Sequence, residues 1–497
     1  MVFFIAGFIM PRLIDHKLGP EVLGVWDFSW SLVTYSRFVD MGVGSSVNRY
    51  VGRYWGQQDI QSINRVLSSA TAALVVAALV ILAGTIAVVT TMPMWFGDRL
   101  LGYTAVTQKS VFCLGVMLSA GTAVGAYNGV LTGCHRWELQ TMRNAFWHMA
   151  TVMGMIVALV LGAGLVTLAV ITAVGQIFAH VTLVTLAYRA CPGLKLKRSY
   201  ADWETIKQLY IYSGKTLLPT VSELLLNQTT SFLIIGSLGP AALAIFTRPR
   251  SLLRQMDSLE RKMAIILVPT TSSMEAVGKH KEIERLVVKS VRYSIYLVLP
   301  LVLVLVVFGG QVMHLWMGPN YANWVLPAVL AVGFLGTCIQ TPIFSMLSGL
   351  NIHGRGGLGQ LFGAAVSAAS VFVALQVFHA GLAGAAVAVT VPLLVVNLIY
   401  LPVLLCRRVG QNLGEFYREV AMGPLLYVLP FGLFLCAGRI LFESHLLWAA
   451  VACLAGAASL FVLYWTEVLP KGLKSTVNRK GEKILRFAGI RLPGFSG

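Results

Sequence analysis

Residues 241–268, AALAIFTRPRSLLRQMDSLERKMAIILV, decide how this chain folds. Arg248, Arg250, Arg254, Asp257, Glu260, Arg261 and Lys262 crowd this one stretch, and a hydropathy window alone would discard it as a loop. The sequence around it argues for a span. Of 497 residues, 57% are hydrophobic and only 12% charged, against about 25% charged in an average soluble chain. Mean hydropathy is +0.76, so lipid solvates most of the chain. A soluble multidomain enzyme is excluded. So is a nucleic-acid binder: in a membrane protein a net charge of +18 reflects basic loops. Unbroken apolar runs such as 70–89 are incompatible with the alternating strands of a β-barrel.

Apolar segments mark helices near 65–92, 106–132, 140–162, 167–190, 208–236, 285–309, 323–348, 357–378, 382–406, 420–440 and 446–465, preceded by 2–14 and 23–47. Counting 241–268 as a helix gives fourteen spans. Basic residues then sort by side: twenty-six fall in the loops and tail of one face, and only Arg12, Lys17, Arg99 and Lys109 in the other. Omitting the charged segment would invert everything after it and scatter these residues over both faces. The positive-inside rule therefore makes 241–268 a span and puts both termini in the cytoplasm.

Self-similarity supports the same count. Leu18-Gly19-Pro20 recurs as Leu238-Gly239-Pro240, and Ile63-Asn64-Arg65 as Ile283-Glu284-Arg285, both at an offset of 220. Leu131-Thr132-Gly133 matches Leu347-Ser348-Gly349, and Gly164-Leu165 matches Gly381-Leu382, at nearly the same offset. The charged segment is thus the counterpart of span 23–47. Six spans separate the copies, an even number, so both halves have the same orientation, as in parallel repeats whose substrate path runs along their interface. The expected fold is an all-α polytopic membrane protein: two parallel six-helix lobes around a central cavity, plus two C-terminal helices. The expected domains are residues 1–190 and 208–406 as lobes, 191–207 as a basic linker, 407–465 as the trailing pair, and 466–497 as a basic cytoplasmic tail. The counterpart of position 208 would precede Met1, so the first span is read as shortened by a start placed too far downstream.

Leu18-Gly19-Pro20-Glu21-Val22-Leu23-Gly24-Val25-Trp26, Asp40-Met41-Gly42-Val43-Gly44, Arg49-Tyr50-Val51 and Asn64-Arg65 resemble the start of bacterial polysaccharide-export flippases. These belong to the multidrug/oligosaccharidyl-lipid/polysaccharide exporter superfamily. The resemblance extends over essentially the whole chain. It implies a transporter of the bacterial inner membrane, not an enzyme, that flips an undecaprenyl-diphosphate-linked oligosaccharide to the outer leaflet for O-antigen or exopolysaccharide assembly. It also implies membrane lipids, a polysaccharide polymerase and chain-length machinery as partners, and no nucleic acid.

The charges lead to the same place. An ionisable group at a helix centre costs roughly 2.5–3.5 kcal/mol on insertion scales, so these side chains must face water or one another. Arg250, Arg254, Asp257 and Arg261 follow i, i+4, i+7, i+11, one helical face. Lys215, Glu223 and Asn227 fall on another polar stripe. Trp30, Thr34 and Arg37 share a face of the second span, with Asp27 and Asp40 elsewhere on it. Arg37–Asp40 and Arg254–Asp257 also fit plain i,i+3 pairing, but arginine exceeds carboxylate in 241–268. An unneutralised cationic cavity suits an anion, and the planar arginine fork suits a diphosphate. The candidate binding residues are Arg37, Lys215, Arg248, Arg250 and Arg254. Asp27, Glu223, Asp257 and Glu260 are the candidates for coupling to H+ or Na+.

Other signals carry nothing. Gly354-Arg355-Gly356-Gly357-Leu358-Gly359 fits a dinucleotide fingerprint but follows no strand. Neither a Walker motif nor HExxH occurs, so no cofactor, catalytic residue or resident metal is expected. The seven scattered cysteines read as small apolar side chains. His148 and His180 fall within spans and read as packing. Three alternatives stand beside the flippase: a lipid II flippase, a cation-coupled drug antiporter of the same superfamily, and a membrane-embedded polysaccharide polymerase or ligase. The external loops are too short for the last, and an antiporter of organic cations favours an acidic cavity.

Overall fold

A computed structural model describes residues 2–40, 42–214, 217–264, 266–442 and 445–469, with Lys474. The basic tail beyond it therefore lies outside the described residues, which contain helices and no strand. In the first half these helices are α1 (Val2–Leu18), α2 (Pro20–Tyr35), α3 (Arg37–Asp40), α4 (Val43–Gly56), α5 (Ile60–Phe96), α6 (Thr104–Ala123), α7 (Ala126–Gly133), α8 (Trp137–Val160) and α9 (Leu165–Ala190). Then follow α10 (Trp203–Gly214), α11 (Leu217–Leu238), α12 (Pro240–Ala264), α13 (Leu267–Ala276), α14 (His280–Met317), α15 (Val325–Gly349), α16 (His353–Gln376), α17 (Gly381–Val395) and α18 (Leu401–Val409). The last α-helices among the described residues are α19 (Leu413–Leu441) and α20 (Leu446–Leu463).

Among the described residues, nine helices are long and apolar enough to cross a membrane, or ten if the pair α6–α7, bent by 48°, is one span. The remaining four expected spans correspond to α1, α2, α11 and α12. Three of these are the helices whose polar faces meet inside the protein. α11 and α12 are passed over because of their polarity, α1 and α2 because they are only 17 and 16 residues long. The lipid-facing surface is built as expected of a polytopic protein. Val75, Val76, Leu79 and Val80 on α5, and Met153, Val157 and Val160 on α8, are all exposed, a continuous apolar display that a water-soluble surface rarely carries.

The repeat is visible as repeated packing. α1 lies on α8 as α11 lies on α16; α2 on α6 as α12 on α15; α5 on α6 as α14 on α15. Likewise α8 and α9 pair as α16 and α17 do, and α4 packs on α7 as α13 packs on α15. Between the halves, α2 runs against α12 and α11, and α1 touches α14.

Three expected segments are corrected. Span 23–47 ends at α2 and the short α3. Gly42, at φ 72°, takes a left-handed conformation that glycine adopts cheaply and turns the chain into α4. α4 is amphipathic: Val43, Val47 and Val51 are buried while Arg49 and Arg53 point outward. Span 241–268 likewise divides into α12 and α13. Segment 208–236 belongs to two helices, α10 and α11. α10 packs on α4 and α5 of the first half, with Ser46 Oγ donating to the Leu209 carbonyl at 2.8 Å. The linker ahead of it is also fastened there. Asn64 Nδ2 donates to the Gly193 carbonyl at 3.1 Å, and the Lys195 and Asp202 amides donate to Asn64 Oδ1 and Ser69 Oγ at 2.7 and 2.9 Å.

Candidate functional site

α12 carries its charges on two faces, and the helical phase sends them to different places. Arg248 is turned toward α2, 4% exposed, and forms an ion pair with Asp27. The same carboxylate oxygen accepts from Thr247 Oγ1 at 2.6 Å. Arg248, expected in the binding set, lines neither cavity described below, and its charge is met by Asp27. One turn away, Gly24 of α2 meets the start of α12 so closely that an added Cβ would lie 1.8 Å from the Pro240 carbonyl oxygen. At this same end Arg12 Nη1 donates to the Leu315 carbonyl at 2.9 Å, Trp316 Nε1 to the Phe8 carbonyl at 2.9 Å, and Tyr321 Oη to Asp15 Oδ1 at 2.5 Å. The two halves are thus sealed against each other at the Gly19/Gly239 end.

The other face of α12 is open. Arg250, Arg254, Asp257 and Arg261 all line a cavity of about 340 Å³ within the second half. The sequence stripe at i, i+4, i+7, i+11 is brought together there. Across from it stand Thr337, Gln340, Gln360, Thr390 and Asn397, from α15, α16 and the end of α17. Asn397 sits at the start of a π-helical turn, Val396–Tyr400, a distortion frequent at functional sites. This polar wall was missed from the sequence, where Thr390 and Asn397 are single polar residues inside an apolar run. A second cavity, about 790 Å³, lies between the halves. Trp30, Thr34, Asn128, Gln176 and His180 face it from one side, and Thr220, Glu223, Asn227, Gln228 and Arg254 from the other. Glu223, Asn227 and Arg254 line both cavities and form their junction.

Partners separate the cations further. Arg261 is held by Asp257 at 2.8 Å, with Glu223 at 3.9 Å. Arg250 donates to Asn227 Oδ1 and lies over the Phe246 ring at 5.6 Å. Arg254 is exposed to the cavities. Neither Arg250 nor Arg254 has a carboxylate within ion-pair distance among the described residues. Glu260 points the opposite way. It is 1% exposed, near Ser294 and Cys338, and neither carboxylate oxygen has a hydrogen-bond partner among the described residues. Lys215 lies outside the described residues, and so does the side chain of Arg37. Sequence counting also placed Arg143 in a basic loop. It is instead buried in α8, with its guanidinium donating to the Ala179 carbonyl at 3.2 Å and to Asn144 Oδ1 at 2.6 Å.

The same fold, two helical halves closed at one end around a polar interface, occurs in solved structures of the multidrug/oligosaccharidyl-lipid/polysaccharide exporter type. Residues 18–326 match the family described as polysaccharide biosynthesis protein, and the chain belongs to that family. It is 21% identical over 371 residues, 70% of this chain and 84% of its relative, to a Shigella flexneri protein named for O-antigen transport. In three dimensions it is similar to the lipid II flippase MurJ in an inward closed conformation, with TM-score 0.68 at 12% identity, covering 93% of this chain and 96% of that one. It is also similar to an inward-facing multidrug resistance transporter of the MATE family, with TM-score 0.66 at 15% identity, covering 83% and 95%.

Proposed function

We propose that this protein is a flippase that moves an undecaprenyl-diphosphate-linked oligosaccharide across the bacterial inner membrane, with both termini cytoplasmic. The observation that carries the reading is Arg250 and Arg254 on one face of α12, lining a polar cavity with no carboxylate within ion-pair distance of either among the described residues. A diphosphate supplies that missing charge, and each arginine can offer it a bidentate fork. Arg37 and Lys215 remain in the binding set on sequence grounds alone. The oligosaccharide takes the larger interlobe cavity, where Trp30 gives a flat apolar face and Gln176, Gln228 and Asn128 give amide groups. The polyprenyl chain stays in lipid.

Transport follows by alternating access. The contacts at the Gly19/Gly239 end close the outer side, so the cavity opens to the cytoplasm. Asp27 and Arg248 serve as a latch between the halves rather than as a ligand site. Rocking is referred to the junction between α10 and α11, because α10 and the linker are fastened to the first half while α11 packs in the second. The lobes that move are thus 1–214 and 217–409, with 413–463 attached to the second through α14. Of the coupling candidates, Glu223 lines both cavities and Asp257 the smaller one. The test is the leaflet distribution of lipid-linked sugars in cells producing Arg250→Ala with Arg254→Ala at normal membrane abundance. Accumulation in the inner leaflet is expected; unchanged polymer export overturns the site. A lipid II flippase shares the diphosphate and the fold. Rescue of lipid II transport in depleted cells would select that reading.

A further inference from the structure

A third cavity, about 650 Å³, opens at the basic end of the molecule between the start of α14, the start of α19 and the π-helical turn Tyr464–Val468 that follows α20. It shares no lining residue with the two transport cavities. Arg285, Lys289 and Arg292 enter from α14 and Arg418 from α19, against Glu419 and Glu467. None of these four cations forms an ion pair among the described residues. Arg292 Nε is buried and without a hydrogen-bond partner there, a donor whose burial is costly unless something accepts from it.

The walls are built rather than loose. Tyr464 Oη donates to the Tyr296 carbonyl at 2.6 Å. Tyr296 stacks on Tyr427 at 6.2 Å and meets Tyr464 edge-on at 5.4 Å. The depth is also informative. α14 has 38 residues, about 57 Å at 1.5 Å per residue, longer than the about 40–45 Å of a bilayer with its headgroups. Its basic first turns therefore sit at headgroup level. From the mouth of the cavity, Met422, Leu426, Leu429 and Leu433 run along one face of α19, all more than half exposed. That is an apolar track leading from the cations toward the membrane interior.

We propose that this cavity binds the phosphodiester headgroup of an anionic phospholipid, with one acyl chain laid along α19, tying the trailing helix pair to the second lobe. Basic pockets between helices on the cytoplasmic side bind such headgroups, and the cations here outnumber the carboxylates. The experiment is native mass spectrometry of the full chain released from nanodiscs of phosphatidylcholine mixed with phosphatidylglycerol. The wild type is expected to retain phosphatidylglycerol in preference. Arg292→Gln with Arg418→Gln should lower that preference about tenfold or more, from the loss of charge-assisted bonds. Arg355→Gln with Arg407→Gln removes the same charge from exposed positions outside the cavity and should leave it unchanged. Thermal midpoints in pure phosphatidylcholine check that both variants fold. An equal loss in the two variants would reduce the effect to general surface charge and overturn the proposal, as would no preference in the wild type. Stabilisation of the wild type in phosphatidylcholine by inorganic phosphate, to the extent phosphatidylglycerol gives, would make this a soluble-anion site and overturn the lipid assignment.

Discussion

α2 and α12 occupy equivalent places in the two halves, and they touch. Asp27 and Thr247 are separated by the repeat offset of 220 and hydrogen-bond each other at 2.6 Å, as equivalent residues do when they lie near the axis relating two copies. Yet the helices differ in chemistry. α2 is aromatic, with Trp26, Phe28, Trp30 and Tyr35, whereas α12 is basic. A repeat fixes where a helix packs, because packing depends on small residues and turns such as Gly19-Pro20 and Gly239-Pro240. It does not fix what the free face presents. One copy has become a wall and a carboxylate, the other a source of cations, so the cavity is asymmetric although its frame is not.

The largest effect should come from the shared contact. Arg248→Ala strands Asp27 in a largely buried site, and removing one partner of a buried pair costs about 3–5 kcal/mol. The thermal midpoint of the purified protein should fall steeply, and Asp27→Leu combined with Arg248→Leu should recover part of the loss. A normal midpoint with lost substrate binding would return Arg248 to the ligand site. Next comes the free face of α12. Arg250→Ala with Arg254→Ala should weaken binding of a lipid diphosphate roughly a hundredfold, at about tenfold or more per charge-assisted bond, with little change in midpoint; titration with labelled lipid reads it. Gly24→Ala places a methyl group against the Pro240 carbonyl, and overpacking of this kind costs about 1–3 kcal/mol. It should shift the population away from the outwardly sealed state, visible as faster modification of a cysteine placed at position 243. The smallest effect is expected from Arg254→Lys, which keeps charge but loses the fork. Binding should drop only a few-fold; full loss would mean that planar geometry, not charge, dominates.

Much of the site was legible in the sequence because helical phase is regular. The stripe Arg250, Arg254, Asp257 and Arg261 projects onto one face from spacing alone, and the cavity collects all four. Glu223 and Asn227 were legible on the same grounds and line both cavities. Arg248 was not. Two residues from Arg250, it lies roughly 200° around the helix at 3.6 residues per turn, and only the position of α2 shows that a carboxylate waits there. Glu260 was grouped with Asp257 by type, but the packing of α14 and α15 buries it on the far side. Arg143 was misplaced because a buried arginine bonded through its terminal nitrogens to carbonyl and amide oxygens has no mark in sequence that separates it from a loop arginine.

Composition, span length and repeat offset by themselves determined that this chain lives in a membrane as two similar helical halves, since the cost of exposing backbone and charge to lipid leaves few other ways to arrange such a sequence. Where α2 stops, which half α10 joins, which arginines keep an unspent charge, and how Thr390 and Asn397 come to face them were decided by tertiary structure alone. Those outcomes depend on which surfaces meet across hundreds of residues of chain, and a local pattern holds no record of its distant partner.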